Sequence, residues 1–306
     1  YFVSKTACYI FLGLFGISTI LHIGQAVWYR LWFPLWTAVL CGIGELVGWS
    51  ARLWCAIDPM ADDPFLMHKF APPGLTVCSI VPTFLVAANF VILGRVIYLV
   101  GPEYSRLSPA WYGKAFLSAD LVALVIQAVG GGMASSADDH AGSERGAQVM
   151  LVGIGIQFAA LVIYSILATE FLVRVYTGRP MRRANFGSHV NMDEKIKMMI
   201  TGLIISAVFL FIRTVYRTIE LTDGWDGTII TNQALFNWCD GMPISVAMLT
   251  LNVFHPGRLV YNKDRVLLQR DLHSREATPL SMHYNMEGSS TYKLVPRYAS
   301  NAFNSA

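Results

Sequence analysis

The sequence predicts an all-α integral membrane protein with seven transmembrane helices, with the N-terminus outside and the C-terminus in the cytoplasm. Two observations indicate the class. Only 14% of the 306 residues are charged, whereas soluble domains carry about 25%. The apolar residues are also gathered into long runs, and about 20 helical residues are enough to cross the hydrocarbon core of a bilayer.

Seven apolar runs divide the chain into spans and connections. They cover residues 8–27, 35–57, 74–98, 115–133, 147–173, 198–219 and 232–254. The chain then turns polar, so we expect a transmembrane domain over residues 1–254 and a cytoplasmic, partly disordered tail over residues 255–306. No internal repeat is visible, which disfavours a transporter built from two inverted halves.

The distribution of Lys and Arg predicts the orientation. The first, third and fifth connections and the tail together hold 16 of these residues, whereas the start of the chain and the other connections hold 3. Positive residues collect on the cytoplasmic side of membrane proteins. The opposite connections are acidic, with the segments DPMADDP, SSADDHAGSE and ELTDGWDG. We therefore expect the 178–195 connection in the cytoplasm.

Polar side chains inside the spans mark the candidate functional residues, because an ionisable group in hydrocarbon is costly and normally faces a partner or a cavity. Counting 1.5 Å per residue places some near the middle of the bilayer and others towards the outside, while Asp120 lies nearer the cytoplasm. The middle layer holds Glu45, Gln127 and Gln157; the outer layer holds Arg52, Arg213, Arg217, Glu220 and Asp240.

Three pairs of these residues are seven positions apart, so each pair shares one helix face. The pairs are Glu45 with Arg52, Asp120 with Gln127, and Arg213 with Glu220. This seven-residue spacing predicts a polar interior within the helix bundle, and we expect that interior to open towards the outer side of the membrane. We expect Glu45, Gln127, Gln157, Arg213 and Asp240 to line it. The alternative is an internal salt-bridge network that only locks the bundle.

Arg213 should pair with an acid on another helix. Asp240 is the favoured partner because the last two spans are joined by a short connection and should be neighbours, while Glu45 is the deeper candidate. Glu220 is then the expected partner of Arg52. Arg217 is left to water or lipid head groups.

Several stretches together resemble the fungal lipid-translocating exporter family, whose members are seven-span proteins associated with export of sphingoid long-chain bases and resistance to an aminosterol. The chain departs from the family pattern at Gln233 and Asn237, where Glu and Tyr are usual. The matching stretches run in order from GELVGWSAR (44–52) through FAPPG (70–74), LGRVIY (93–98), FLSADLVALVIQAVGGG (116–132), GIGIQ (153–157) and FIRTVYRTIE (211–220) to CDGMP (239–243) and NVFHPG (252–257).

The resemblance implies a fungal protein of the plasma membrane or endomembranes whose partners are membrane lipids, a sphingoid base or a sterol-like amphiphile. It singles out the polar span residues above, together with Arg95, as ligand-binding candidates. Export would be direct translocation, or an indirect effect of a seven-span lipid sensor or receptor. That alternative rests on topology and the basic 178–195 connection.

Other function classes lack a supporting motif. The five Cys and seven His show no zinc-type spacing, and no G-x-x-x-x-G-K-[ST] loop predicts nucleotide hydrolysis. We therefore expect no enzyme activity, no cofactor, no metal and no nucleic-acid partner. The oligomeric state is left open.

Overall fold

The structure is a computed structural model that describes residues 4–57, 80–137, 139–181, 192–223 and 232–261. Every regular element in these residues is helical. The single α-helices are α1 (Lys5–Tyr29), α2 (Leu40–Ile57), α3 (Pro82–Val100), α4 (Pro109–Ser136), α5 (His140–Thr177), α6 (Glu194–Thr222), α7 (Gln233–Phe236) and α8 (Met242–Val253).

Two of the predicted spans contain a π-helical turn. The π-helix Leu35–Val39 precedes α2, and the chain is helical without a break from 33 to 57. The π-helix Asn237–Gly241 joins α7 to α8, so the chain is also helical from 233 to 253. A third π-helix, Gly257–Tyr261, ends the described chain.

Among the described helices, five are long and apolar enough to cross a membrane: α1, α3, α4, α5 and α6. The protein is therefore a multi-pass helical membrane protein. Each predicted run overlaps a helical stretch of the structure, although α1, α4, α5 and α6 extend beyond their runs at both ends. The predicted start of the third span, and the tail from residue 262, lie outside the described residues.

Helix α3 lies at the centre of the bundle. In its most apolar 18-residue stretch 72% of the residues are buried, whereas no other of the five helices exceeds 44%. Its Asn89 donates a hydrogen bond to Ser206 of α6 at 3.0 Å. The outer helices expose apolar side chains such as Ile20 and Val129, as expected for surfaces that face lipid.

Helices α4 and α5 form the closest pair because small residues line their contact. A Cβ atom added to Gly146 would lie 2.5 Å from the backbone nitrogen of Ala134, and one added to Gly130 would lie 2.6 Å from that of Met150. Close backbone approach through small residues is the usual way in which membrane helices associate.

Replacing Gly146 by Leu should destabilise the protein, because the added side chain would meet the α4 backbone. Overpacking costs about 1–3 kcal/mol, which should lower the midpoint of thermal unfolding in detergent. Gly155→Leu is the matched control on the same helix, since a Cβ atom added there would have nothing within 4 Å. Equal stability of the two variants would contradict the close contact.

Candidate functional site

The π-helix Asn237–Gly241 places Asp240 inside the bundle. Pro243 follows in the first turn of α8, and since proline has no N–H, the regular hydrogen-bond ladder is interrupted there. Gly241 is needed for close packing, because a Cβ atom would lie 2.6 Å from the Trp49 indole. The CDGMP sequence therefore both distorts the helix and brings it against α2.

Asp240 binds two arginines of α6. Arg213 Nε lies 3.1 Å from Asp240 Oδ1. Arg217 donates from Nε to Oδ1 at 2.9 Å and from Nη2 to Oδ2 at 3.0 Å, which is a bidentate pair. Because Arg213 and Arg217 are four residues apart, they stand on one face of α6 and reach the same carboxylate.

Glu220 completes the charged cluster on the next turn of α6. Arg217 Nη1 donates to Glu220 Oε2 at 2.8 Å, and the Tyr216 hydroxyl donates to Oε1 at 3.1 Å. Arg217 therefore bridges two acids while only 2% of its side chain is exposed. We call Arg213, Arg217, Glu220 and Asp240 the charged cluster.

Glu45 of α2 lies beside the charged cluster without joining its hydrogen bonds. It is close enough to Asp240, Arg213 and Arg217 to interact with them electrostatically. Both carboxyl oxygens are fully buried, and within the described chain neither accepts a hydrogen bond. The nearby Trp49 indole interacts with the group but forms no hydrogen bond of normal geometry with it.

Arg52 lies about two helical turns after Glu45 on α2 and contacts aromatic rings. Its guanidinium carbon is 3.9 Å from the centre of the Phe236 ring and 5.5 Å from that of Trp49. Arg217 approaches the same Phe236 ring at 5.2 Å. Cation–π contacts of this kind contribute about 0.5–2 kcal/mol each, so Phe236 helps to hold both cations.

A separate set of hydrogen-bonded side chains, Gln127, Gln157 and Thr83, lies between α3, α4 and α5, and we call it the amide group. Gln127 Nε2 donates to Gln157 Oε1 at 3.0 Å, and Gln157 Nε2 donates to the Thr83 hydroxyl. A small cavity lined by Thr83, Gln157, Arg213 and Thr214 separates this group from the charged cluster. The centre of a water molecule can occupy about 10 Å³ within this cavity. The cavity therefore has room for about one water molecule.

Asp120 belongs to neither group. It lies on the buried face of α4 that also carries Phe116 and Gln127. Both carboxyl oxygens are buried, and neither accepts a hydrogen bond from any described residue. The predicted shared face with Gln127 is confirmed, but the structure keeps Asp120 apart from the charged cluster.

The pairing predictions have mixed outcomes. The Arg213–Asp240 pair is confirmed. The exposure predicted for Arg217 is wrong, because the π-turn carries Asp240 to it and the side chain is buried. Glu220, the predicted partner of Arg52, binds Arg217 and Tyr216. Arg95, which the family resemblance also singled out, lies near the C-terminal end of α3. Its guanidinium stacks there on the rings of Tyr98 and Tyr261.

Sequence reasoning missed three contributors to the site. Tyr216 is four residues before Glu220, a spacing that a search for helical i, i+4 hydrogen bonds would have found. Thr83 and Phe236 carry no comparable signal, because their roles depend on how α3 and α7 pack against other helices.

The residues of this site lie in a region that the chain shares with known proteins. The model of the RTA1 like protein family matches residues 38–263. The chain belongs to this family. The match covers the charged cluster, the amide group and Glu45, so the whole site lies in the family's shared region.

Three curated fungal relatives are similar to the chain at low identity. A sphingoid long-chain base transporter, RSB1, of Saccharomyces cerevisiae (strain Lalvin EC1118 / Prise de mousse) is 29% identical, over 80% of this chain and 69% of the relative. A probable lipid transporter, atnI, of Emericella nidulans is 27% identical, over 86% and 68%. Protein RTA1 of Saccharomyces cerevisiae is 25% identical, over 69% and 62%. No solved structure matches the chain.

Replacing Asp240 by Ala should destabilise the protein more than replacing Arg213 by Met. The first change takes the shared carboxylate from two buried arginines, and breaking such a pair costs about 3–5 kcal/mol. The second leaves Asp240 in its bidentate pair with Arg217. The free energy of unfolding in mild detergent measures both losses, and equal losses would contradict the shared role of Asp240.

Proposed function

We propose that the chain crosses the membrane seven times, with its N-terminus outside. The helical stretches 33–57 and 233–253, each of which contains a π-helix, are then the second and seventh spans, and we call them the second and seventh stretches. Exposed aromatic residues support this, because Trp and Tyr collect at membrane interfaces. Trp36 and Trp54 are 71% and 76% exposed at the two ends of the second stretch. At 1.5 Å per residue they are about 27 Å apart, close to the thickness of the hydrocarbon core.

The first helix has the same arrangement. Tyr9 and Trp28 are exposed and lie about 28 Å apart along α1. Trp238 is exposed near the start of the seventh stretch. The helical content, the aromatic spacing and the asymmetry of Lys and Arg agree with one topology, in which the charged cluster lies towards the outer side.

Labelling of introduced cysteines tests this topology. Ala137→Cys should react with a membrane-impermeant maleimide in intact spheroplasts, because the α4–α5 turn is then outside. Arg179→Cys should react only after permeabilisation. Both changes are made in a variant without the native cysteines. Reaction of Arg179→Cys in intact cells would refute the orientation.

We propose that the protein translocates amphipathic lipids that carry a cationic head group, with sphingoid long-chain bases as the model substrate. Glu45 is the observation that supports this. The two arginines near it are engaged by Asp240 and Glu220, and its own oxygens accept no hydrogen bond from the described chain. A lipid ammonium would supply the cation and the donors that this acid lacks.

The energy of such contacts is sufficient for recognition. A hydrogen bond to a charged group contributes about 1.5–3 kcal/mol, and an ammonium group has three donors. The apolar tail would remain in lipid between helices. The family relationship supports the same substrate class, since one relative is named a sphingoid long-chain base transporter.

The other candidate residues have supporting roles in this proposal. Arg213, Arg217, Glu220 and Asp240 would fix the position of Glu45, while Arg52 and Phe236 close the cluster on its outer side. Gln127 has a buried carbonyl oxygen that accepts no hydrogen bond from the described residues. This oxygen and Gln157 would bind hydroxyl groups of the lipid, and Asp120 remains a candidate for a second polar contact.

Replacing Glu45 by Gln should lower sphingoid-base export at least about tenfold, because the ammonium loses its carboxylate, a contact equivalent to about 1.4 kcal/mol or more. Flux from proteoliposomes that contain the purified full chain measures the effect. Glu144→Gln is the matched control, with the same change at an exposed position. Wild-type flux in Glu45→Gln would refute the role of Glu45.

The same assay separates a transporter from a lipid sensor. A wild-type protein that binds the base and passes none of it across a sealed bilayer would contradict translocation. Such a result would favour the alternative in which the seven-span protein acts indirectly on lipid asymmetry.

A further inference from the structure

Glu45 is the acid for which the charged cluster provides no counter-charge. Within the cluster, the two arginines are balanced by Asp240 and Glu220. An ionised Glu45 would therefore add one negative charge in excess. The residue is 0% exposed, so this excess charge would lie in the interior of the bundle, out of contact with water.

Helix α1 supplies no charge at the level of Glu45. Phe11 of α1 stacks on Trp49 with the ring centres 4.3 Å apart, and a Cβ atom added to Gly42 would meet the Thr19 side chain. These two contacts lie on either side of Glu45 along α2. The α1 residues between them, 12–18, contain no ionisable side chain.

The other neighbouring elements add no cation beyond those of the cluster. A Cβ atom added to Gly44 would meet Val81, just before α3, and residues 80–88 contain no ionisable side chain. Within one turn of Glu45 on α2, the titratable side chain is Cys41, a buried thiol. The two arginines of α6 attract the Glu45 carboxylate, while Asp240 of the seventh stretch repels it.

This environment suits a neutral carboxyl group better than a carboxylate. An ionised group that leaves water needs a cation and hydrogen-bond donors, whereas a neutral polar group needs far less compensation. Neither oxygen of Glu45 accepts a hydrogen bond from the described residues. In the empty site the group is therefore stable with a proton bound.

An ammonium group supplies what the carboxylate lacks. It brings one positive charge and three N–H donors, and hydrogen bonds between ionised partners are the strong ones. A protonated carboxyl offers the ammonium no counter-charge, so the cation binds the carboxylate form. The proton and the ammonium therefore compete for the same two oxygens.

We propose that Glu45 exchanges a proton for the ammonium group of the lipid, so that the protein is a proton–lipid antiporter. This inference rests on the proposed function and names the ion that drives it. In the exchange, the O–H bond of Glu45 breaks, the proton passes to water, and the ammonium hydrogens bond to the carboxylate oxygens. Nothing is oxidised or reduced, and the total charge at the site does not change.

Exchange at one acid couples the movement of the lipid to the pH difference across the membrane. The form of the site that holds neither cation is the least stable one, so lipid moves one way as a proton moves the other way. Each unit of pH difference then supports about a tenfold concentration ratio of the lipid cation. Because one positive charge replaces another, the membrane potential adds nothing to this ratio.

Asp120 is the second buried acid that an experiment has to distinguish from Glu45. Its two oxygens also accept no hydrogen bond from the described residues. It lies on α4, apart from the charged cluster. A proton bound there would be released independently of an ammonium at Glu45, so variants of the two acids give different results.

Calorimetry of sphinganine binding in two buffers that differ in their enthalpy of ionisation counts the protons released. The purified full chain is titrated at about pH 6, where the amine stays charged because alkyl ammonium groups titrate near pH 10. Wild type should release about one proton for each sphinganine bound. Glu144→Gln should behave in the same way, as the matched change at an exposed acid.

Two variants of Glu45 test the exchange at this residue. Glu45→Gln should bind at least about tenfold more weakly and release no proton, because an amide has none to exchange. Glu45→Asp keeps a carboxyl group and should release about one proton. The affinity of wild type should fall about tenfold for each unit by which the pH is lowered below about 6, and that of Glu45→Gln should not change.

Infrared difference spectroscopy gives a second measurement that does not depend on the affinity of the variants. Sphinganine should remove the C=O band of a protonated carboxylic acid from wild type and from Asp120→Asn. Glu45→Gln should show no such change at any sphinganine concentration. A band that disappears in Glu45→Gln and is absent from Asp120→Asn would assign the proton to Asp120 and overturn the proposal.

The outcomes separate the exchange from the proposed function. Wild type that binds sphinganine and releases no proton would overturn the exchange, even if proteoliposomes transport the lipid. Proton release that survives in Glu45→Gln would overturn it as well. Proton-linked binding without flux would contradict translocation alone, and absence of sphinganine binding by the folded wild type would contradict both.

Discussion

The bundle depends on one carboxylate that neutralises two arginines in an apolar interior. Asp240 meets Arg213 and Arg217, and isolated charges at this depth are costly. Glu220 supplies the second negative charge through Arg217. Two arginines and two acids thus balance within the cluster. This balance fixes the register of α6 against the seventh stretch, and it leaves Glu45 as the acid without an arginine of its own.

The π-turn explains how the carboxylate reaches both partners. A regular α-helix from Gln233 to Val253 would rotate Asp240 relative to the residues that follow. The extra residue in the turn lets Asp240 and the α8 face point inward together, and the Ser245 hydroxyl donates to the Gly241 carbonyl at 2.9 Å to satisfy a group of the disturbed ladder. Single π-turns of this kind are frequent at functional sites. Gly241 then admits Trp49, so the same distortion connects three helices.

Much of this architecture could be predicted from sequence because hydrophobic length and charge asymmetry are local signals. The apolar runs located the helices, and the spacing of Arg213 and Glu220 placed them on one face. The Arg213–Asp240 pair followed from helix adjacency. The position of Arg217 could not be predicted in this way. Its burial depends on the π-turn, whose cause is the combination of Gly241 and Pro243 in a stretch that reads as ordinary helix.

The charge balance also bears on how a cationic lipid could enter the proposed site. Because Arg213 and Arg217 are already neutralised by Asp240 and Glu220, an ammonium at Glu45 would not have to displace either arginine. It would add one positive charge beside Glu45, the acid that lies outside the charged cluster, and would leave the balance of two arginines and two acids within the cluster unchanged. An anionic lipid would meet the opposite situation, since it would compete with two carboxylates for arginines that they already hold. The arrangement therefore favours cationic amphiphiles through a pre-formed acidic position rather than through exchange of ion pairs.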